Sequence, residues 1–170
     1  MKRRAYQRDS DLKLLQDFNA AAIAVTDHCG YLHPGDIPHH LFSGNKLYDP
    51  AEVMTIWEDT KGVAAWVLAG PRHKSCDIQL RPDLRGSGFE REVLAYSEAR
   101  LLALMHTYEI ESEYIYADAF LCDQDRARLL LESGWELEDQ GNYVLNRIRL
   151  DKIAPPVLPQ GYSIRSGRGA

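Results

Sequence analysis

The spacing of hydrophobic positions changes several times along the chain, and each change marks an element. Residues 3–7 alternate briefly and predict a short first strand. Leu12, Leu14, Leu15, Phe18, Ala21, Ala22 and Val25 then recur at helical spacing, with Arg8-Asp9-Ser10-Asp11 offering caps ahead of them. Between Asp27 and Asp49 no period survives, because Gly30, Pro34, Gly35, Pro38, Gly44 and Asn45 interrupt it, and this stretch reads as irregular. Residues 53–58 and 63–68 are β-forming arms around Asp59-Thr60-Lys61-Gly62, which predicts a hairpin with Trp57 and Trp66 filling the core. A turn at Pro71-Arg72-His73-Lys74 leads into a strand over residues 76–80.

The second half continues the pattern. After Leu80 the run Arg81-Pro82-Asp83-Leu84-Arg85-Gly86-Ser87-Gly88-Phe89-Glu90 reads as a glycine turn opening a helix, and its first backbone N–H groups suit an anion. Val93, Leu94, Ser97, Leu101, Leu104 and Met105 give that helix, residues 90–106, one buried face. Ser87 and Glu90 stand at capping-box spacing. Residues 114–118 alternate as a strand, and Asp123-Gln124-Asp125 caps a helix carrying Ala127, Leu129, Leu130 and Leu131 that ends at Ser133-Gly134. Residues 135–137 and 143–150 predict two closing strands across Gln140-Gly141-Asn142.

Composition narrows the partners. A chain of 170 residues that is 45% hydrophobic and 26% charged is built around one core. A net charge of −5 argues against nucleic-acid binding, which needs a basic face, and suits a cationic small molecule better. Met1-Lys2-Arg3-Arg4 is followed only by the short apolar run 20–25, so neither a leader nor a membrane segment is expected and a cytoplasmic protein is. Cys29, Cys76 and Cys122 are odd in number and far apart, which suggests neither a disulfide framework nor a metal motif. His28, Cys29, His33, His39 and His40 are dense but match no standard metal-ligand spacing, and no metal is expected.

Arg85-Gly86-Ser87-Gly88-Phe89-Glu90, preceded by an apolar strand and Arg81-Pro82, resembles the acyl-CoA pyrophosphate loop of the GNAT family of N-acetyltransferases. That loop has Arg or Gln, two variable residues, Gly, one variable residue, then Gly or Ala, and Glu90 departs from the last position. The stretch from Asp123 to Gly134-Trp135 resembles the family's closing motif, with Asp123 in place of an Asn and Leu130 where many members carry a Tyr that protonates the leaving thiolate. The resemblance implies an α/β fold of the α+β kind, a mixed and mostly antiparallel central sheet with a splayed strand 4 and flanking helices. It implies acetyl-CoA as co-substrate, with Ile78 and Leu80 pairing the pantetheine arm and Arg85, Gly86, Ser87, Gly88, Phe89 and Glu90 around the diphosphate. Residues 32–41 would line the side of a small-molecule amine acceptor.

Two readings stay open at this point. Tyr116, on the strand leaving the core, is the candidate for proton transfer, with Glu111, Glu113 and Tyr143 as further candidates that no motif places. A carboxylate at Glu90, roughly 5 Å from a phosphate, would cost on the order of 1–3 kcal/mol per unit charge. The chain therefore fits an N-acetyltransferase acting on a small amine. It equally fits a degenerate domain of the same fold that supports an active partner domain. Three prolines within residues 155–159 predict a linker. The expected organisation is an acetyltransferase-like domain over residues 1–152, a linker over 153–161, and the start of a second such domain over 162–170.

Overall fold

The computed structural model describes residues 1–138 and 157–163, with the side chains of Arg8 and Asp9 left aside. The chain divides into two units, Met1–Leu137 and Glu138–Ala170. In the second, the Tyr162 N–H donates to the Pro159 carbonyl across a turn whose Gly161 has φ +89°. The expected strand at 143–150, with the candidate Tyr143, lies outside the described residues, as do most of the expected linker and second-domain start.

The first unit is built on a four-stranded antiparallel sheet in chain order: β1 (Lys2–Ala5), β2 (Met54–Asp59), β3 (Gly62–Gly70) and β4 (Ser75–Leu80). The hairpin forms where the turn residues predicted it: Asp59 pairs with Gly62, the Asp59 carboxylate accepts from the Lys61 N–H at 2.7 Å, and Gly62 takes φ +105°. Residues 63–69 of β3 are all buried, as a strand covered on both faces requires, and Trp57 and Trp66 lie in the core.

Helix α1 (Arg8–Thr26) packs through Asp11, Leu15, Asn19 and Ala22, one helical stripe. Leu14 and Val25, expected on the apolar face, point outward instead. The stripe is partly polar because the core asks for hydrogen bonds there: Asn19 Oδ1 accepts from Trp66 Nε1 at 3.0 Å, and its Nδ2 donates to the Leu32 carbonyl at 2.8 Å. Asp11 closes the helix start, accepting from the Gln7 N–H and from Arg4.

Four expectations are corrected. Residues 27–49 are not wholly irregular: α2 (Asp36–His39) runs on into a wide π-turn over His40–Gly44, burying Ile37 and Leu41. A single-turn helix, α3 (Pro50–Val53), takes Val53 from the predicted strand, because Asp49 caps it and Pro50 starts it. Residues 114–118 form no ladder; Tyr116 alone makes a parallel bridge to Ser75. Residues 135–137 likewise pair with no strand among the described residues, and Trp135 Nε1 donates instead to Glu98 at 2.6 Å.

Helix α4 (Gly88–Thr107) crosses β3 and β4, burying Val93, Leu94, Ser97, Leu101, Leu104 and Met105 as predicted, and Glu90 as well. Helix α5 (Gln124–Glu132) buries Arg126 and Leu130. No helix among the described residues is long and apolar enough to cross a membrane.

Candidate functional site

Where β4 meets α4, the chain passes a single 3₁₀ turn at Pro82–Leu84 and enters the glycine loop. Gly86 takes φ +71°, a conformation open to glycine at little cost, and this turns the chain so that Ser87 can start α4. The capping box predicted at Ser87 and Glu90 does not form. Ser87 Oγ donates back to the Leu84 carbonyl at 2.6 Å, and Glu90 reaches one residue further than expected, its Oε2 accepting from the Gly86 N–H at 2.6 Å. Glu90 is only 2% exposed, and its other oxygen accepts from Arg126 Nε at 2.7 Å. The charge that sequence reasoning placed against a phosphate is therefore neutralised from within by an arginine 36 residues away.

Arg126 also reaches the sheet. Residues 77, 79 and 81 direct their backbone groups at β3, as the Arg81 N–H to Ala64 carbonyl bond shows. Cys76, Ile78 and Leu80 therefore present theirs along the other edge of β4. At one end that edge is met by Tyr116, whose carbonyl accepts from the Cys76 N–H at 2.9 Å. Beyond it the chain diverges, and side chains take over: Arg126 Nη1 donates to the Ile78 carbonyl at 3.2 Å, and the Tyr31 hydroxyl donates to the Leu80 carbonyl at 2.6 Å. Burial pushes the Tyr31 hydroxyl above its ordinary pKa, keeping it a donor. A cavity of only about 20 Å³ remains, bordered by Asp77, Ile78, Gln79, Asp118 and Arg126. That is room for about one water.

Arg85 completes the closure. Its guanidinium pairs with the Asp123 carboxylate, donates to the Cys29 carbonyl at 3.3 Å, and lies over the Tyr31 ring at 5.3 Å. Asp123 at the same time caps α5 by accepting from the Arg126 N–H. Gly30 is needed for this approach, since a β-carbon there would fall 2.3 Å from Arg85 Nη1. Cys29 and Cys122 are joined in a disulfide with Cα atoms 5.9 Å apart, which corrects the expectation that the cysteines do not pair; Cys76 is buried and free. The cross-link spans 93 residues.

No family model matches the chain, and no curated protein matches it. A solved structure provisionally assigned as a phosphinothricin N-acetyltransferase is similar over 78% of this chain and 81% of its own, with a TM-score of 0.50 and 18% identity. The chain has a GNAT-like fold. The resemblance of the glycine loop expects the pantetheine arm along the edge of β4 and the diphosphate at the loop, so acetyl-CoA is the co-substrate to test against these residues. They do not fit it as arranged. The Ile78 carbonyl is taken by Arg126, the Leu80 carbonyl by Tyr31, the Gly86 N–H by Glu90, and Arg85 by Asp123.

The structure brings Ile78 and Leu80 of β4, Arg85 and Gly86 of the glycine loop and Glu90 of α4 into one neighbourhood, with Ser87, Gly88 and Phe89 at the α4 start. Tyr116 meets β4 through its backbone, and Leu130 is buried in the core. Glu111 and Glu113 are exposed and no described contact ties them to the site. Arg81 pairs with Asp59 and Asp83, and Arg91 with Glu132. Tyr31 and Arg126 were missed by sequence reasoning. For Arg126 a signal existed: it lies four residues before buried Leu130, just as Glu90 lies three and four before Val93 and Leu94. Tyr31 sits in an aperiodic loop and carries no such mark.

The histidine-rich segment supplies one ionic contact. His40 Nδ1 lies 3.5 Å from Asp77, whose hydrogen bond raises the imidazole pKa above its ordinary value, and Asp118 adds to the effect. Asp118 is an exposed residue overall, yet it borders the small cavity, where lost solvation and then the Asp77 charge push its carboxyl up. A histidine raised in the folded state contributes stability fully below its unfolded pKa near 6.5 and loses it as pH rises through the folded value. Proton titration by NMR is expected to place His40 above 6.5, and Asp77→Asn is expected to bring it down. Among the described residues no group of three His, Cys, Asp or Glu is arranged to hold a metal ion.

Proposed function

We propose that this chain is a GNAT-fold domain whose acyl-CoA cleft is closed by its own side chains, and that it acts as a structural or regulatory partner to an acetyltransferase domain. The observation that carries this reading is the buried Glu90–Arg126 pair. One of its ends occupies the Gly86 N–H of the diphosphate loop and the other occupies the Ile78 carbonyl of the pantetheine edge. Both interactions are charge-assisted, the first partly and the second fully buried, so a ligand must replace them before it gains anything. Leu130, buried where the family resemblance expects a proton-donating Tyr, supports the same reading. A proline-rich stretch at residues 155–159 and the tyrosine strand pattern after it point to the second domain as the partner.

A second reading is favoured by Asp77 and Asp118 at the edge of the small cavity, an acidic lining suited to a cationic amine. On it the domain is an acetyl-CoA-dependent N-acetyltransferase for a small amine, active from a more open arrangement. Calorimetric titration of acetyl-CoA into the protein separates the two. The closed-cleft reading expects no heat of binding up to millimolar concentration, which corresponds to an affinity weaker than about 4 kcal/mol. Micromolar binding would overturn it in favour of the enzyme.

A further inference from the structure

We propose that the Cys29–Cys122 bond is a thiol–disulfide exchange site that latches the cleft shut; the proposal rests on the closed-cleft reading and adds reversibility to it. The bond joins the loop after α1 to the residue before the Asp123 cap of α5. These two loops carry the two acceptors that hold Arg85: the Cys29 carbonyl on one, the Asp123 carboxylate on the other. The cross-link thus brackets the arginine of the glycine loop. Gly30, beside Cys29, is the residue whose missing side chain lets the loop seat against Arg85 and Asp123. Tyr31, next along, holds the Leu80 carbonyl. One covalent bond therefore brackets three side chains that close the cleft: Tyr31 on the β4 edge, Arg85 of the glycine loop and, through its helix cap, Arg126.

The site is open to a reductant. Cys122 is exposed and Cys29 half-buried, and both border a surface hollow of about 410 Å³ that Arg85, Asp123, Gln124 and Arg128 also line. Cys76, by contrast, is buried, and its thiol is pushed up to about 11, so it takes no part at neutral pH. The reductant is a dithiol. Its thiolate attacks the Cys122 sulfur, the protein S–S bond breaks, and the electron pair leaves on Cys29 as a thiolate. The second thiolate of the reductant then attacks the mixed disulfide and releases Cys122. Two electrons and two protons pass from dithiol to protein, which ends with two thiols while the reductant becomes a disulfide.

Peptide-level amide exchange tests the latch on the whole chain, oxidised, reduced with dithiothreitol, and as Cys29→Ser/Cys122→Ser, with thiols counted by mass. Reduction is expected to speed exchange in residues 26–32, 84–90 and 119–127 by at least about tenfold while β2 and β3 stay protected, as a local opening requires. The double variant is expected to show the open pattern with or without reductant. Unchanged exchange in a protein shown to carry the two new thiols would overturn the latch. So would a general loss of protection that includes β2 and β3, which would make the bond a staple for the whole fold, or failure of the two cysteines to oxidise. Acetyl-CoA binding to the oxidised protein would instead overturn the closed-cleft reading, a separate readout from exchange.

Discussion

Replacing Glu90 with the glycine that the acyl-CoA loop pattern has at that position is expected to destabilise the protein by about 3–5 kcal/mol, because it strands Arg126 as an unpaired buried cation. Arg126 is 6% exposed, and its Nε would lose the only carboxylate that the described contacts give it. The Gly86 N–H would lose its acceptor as well. Denaturant unfolding should show the loss as a lower midpoint at unchanged slope. Glu90→Gln keeps the shape and one acceptor, and is expected to cost clearly less. The pair Glu90→Leu/Arg126→Met removes both charges together, and is expected to recover most of the stability, since apolar replacement of a buried ion pair is often close to neutral. A loss in the paired variant equal to the sum of the losses in Glu90→Leu and Arg126→Met alone would show that the two side chains act independently.

The second large effect is expected at Asn19. This side chain is fully buried and joins α1 to β3, to β4 and to the loop at Leu32: it accepts from Trp66 Nε1, donates to the Leu32 carbonyl, and lies 3.4 Å from Gln79 Oε1. Gln79 Oε1 in turn accepts from the Leu32 N–H, so the network is closed on itself. Asn19→Ala leaves the buried indole N–H without a partner, at about 1–3 kcal/mol, and takes a donor from the partly buried Leu32 carbonyl as well. A loss on the order of 3 kcal/mol is expected in thermal or denaturant unfolding. Adding Trp66→Phe to Asn19→Ala removes the orphaned donor, and the double variant should lose less than the sum of the two singles. Strict additivity would show that the indole bond contributes nothing.

Both predictions turn on polar residues placed on apolar stripes. Position was readable from the chain: Asn19 follows buried Leu15 by four residues, and Glu90 precedes Val93 and Leu94 at helical spacing. What such a residue does there was not. Read as a surface carboxylate, Glu90 is a source of repulsion for a phosphate. Read as a buried one, it is a competitor for the same donor. Only burial separates these, and burial is set by α5, which packs its Arg126 onto the open edge of β4.

The sequence by itself determined the first strand and helix, the hairpin at Asp59–Gly62, the strand after it, the glycine turn and the buried face of α4, because each depends on periodicity or on a turn residue within a few positions. The tertiary structure decided the rest: the Glu90–Arg126 pair across 36 residues, the Cys29–Cys122 bond across 93, and the Tyr31 hydroxyl on Leu80 across 49. Those contacts have no local signature. Their energy comes from bringing a charge, a thiol or a hydroxyl to one particular partner, and the partner is chosen only when the sheet edge and the two loops beside it have closed.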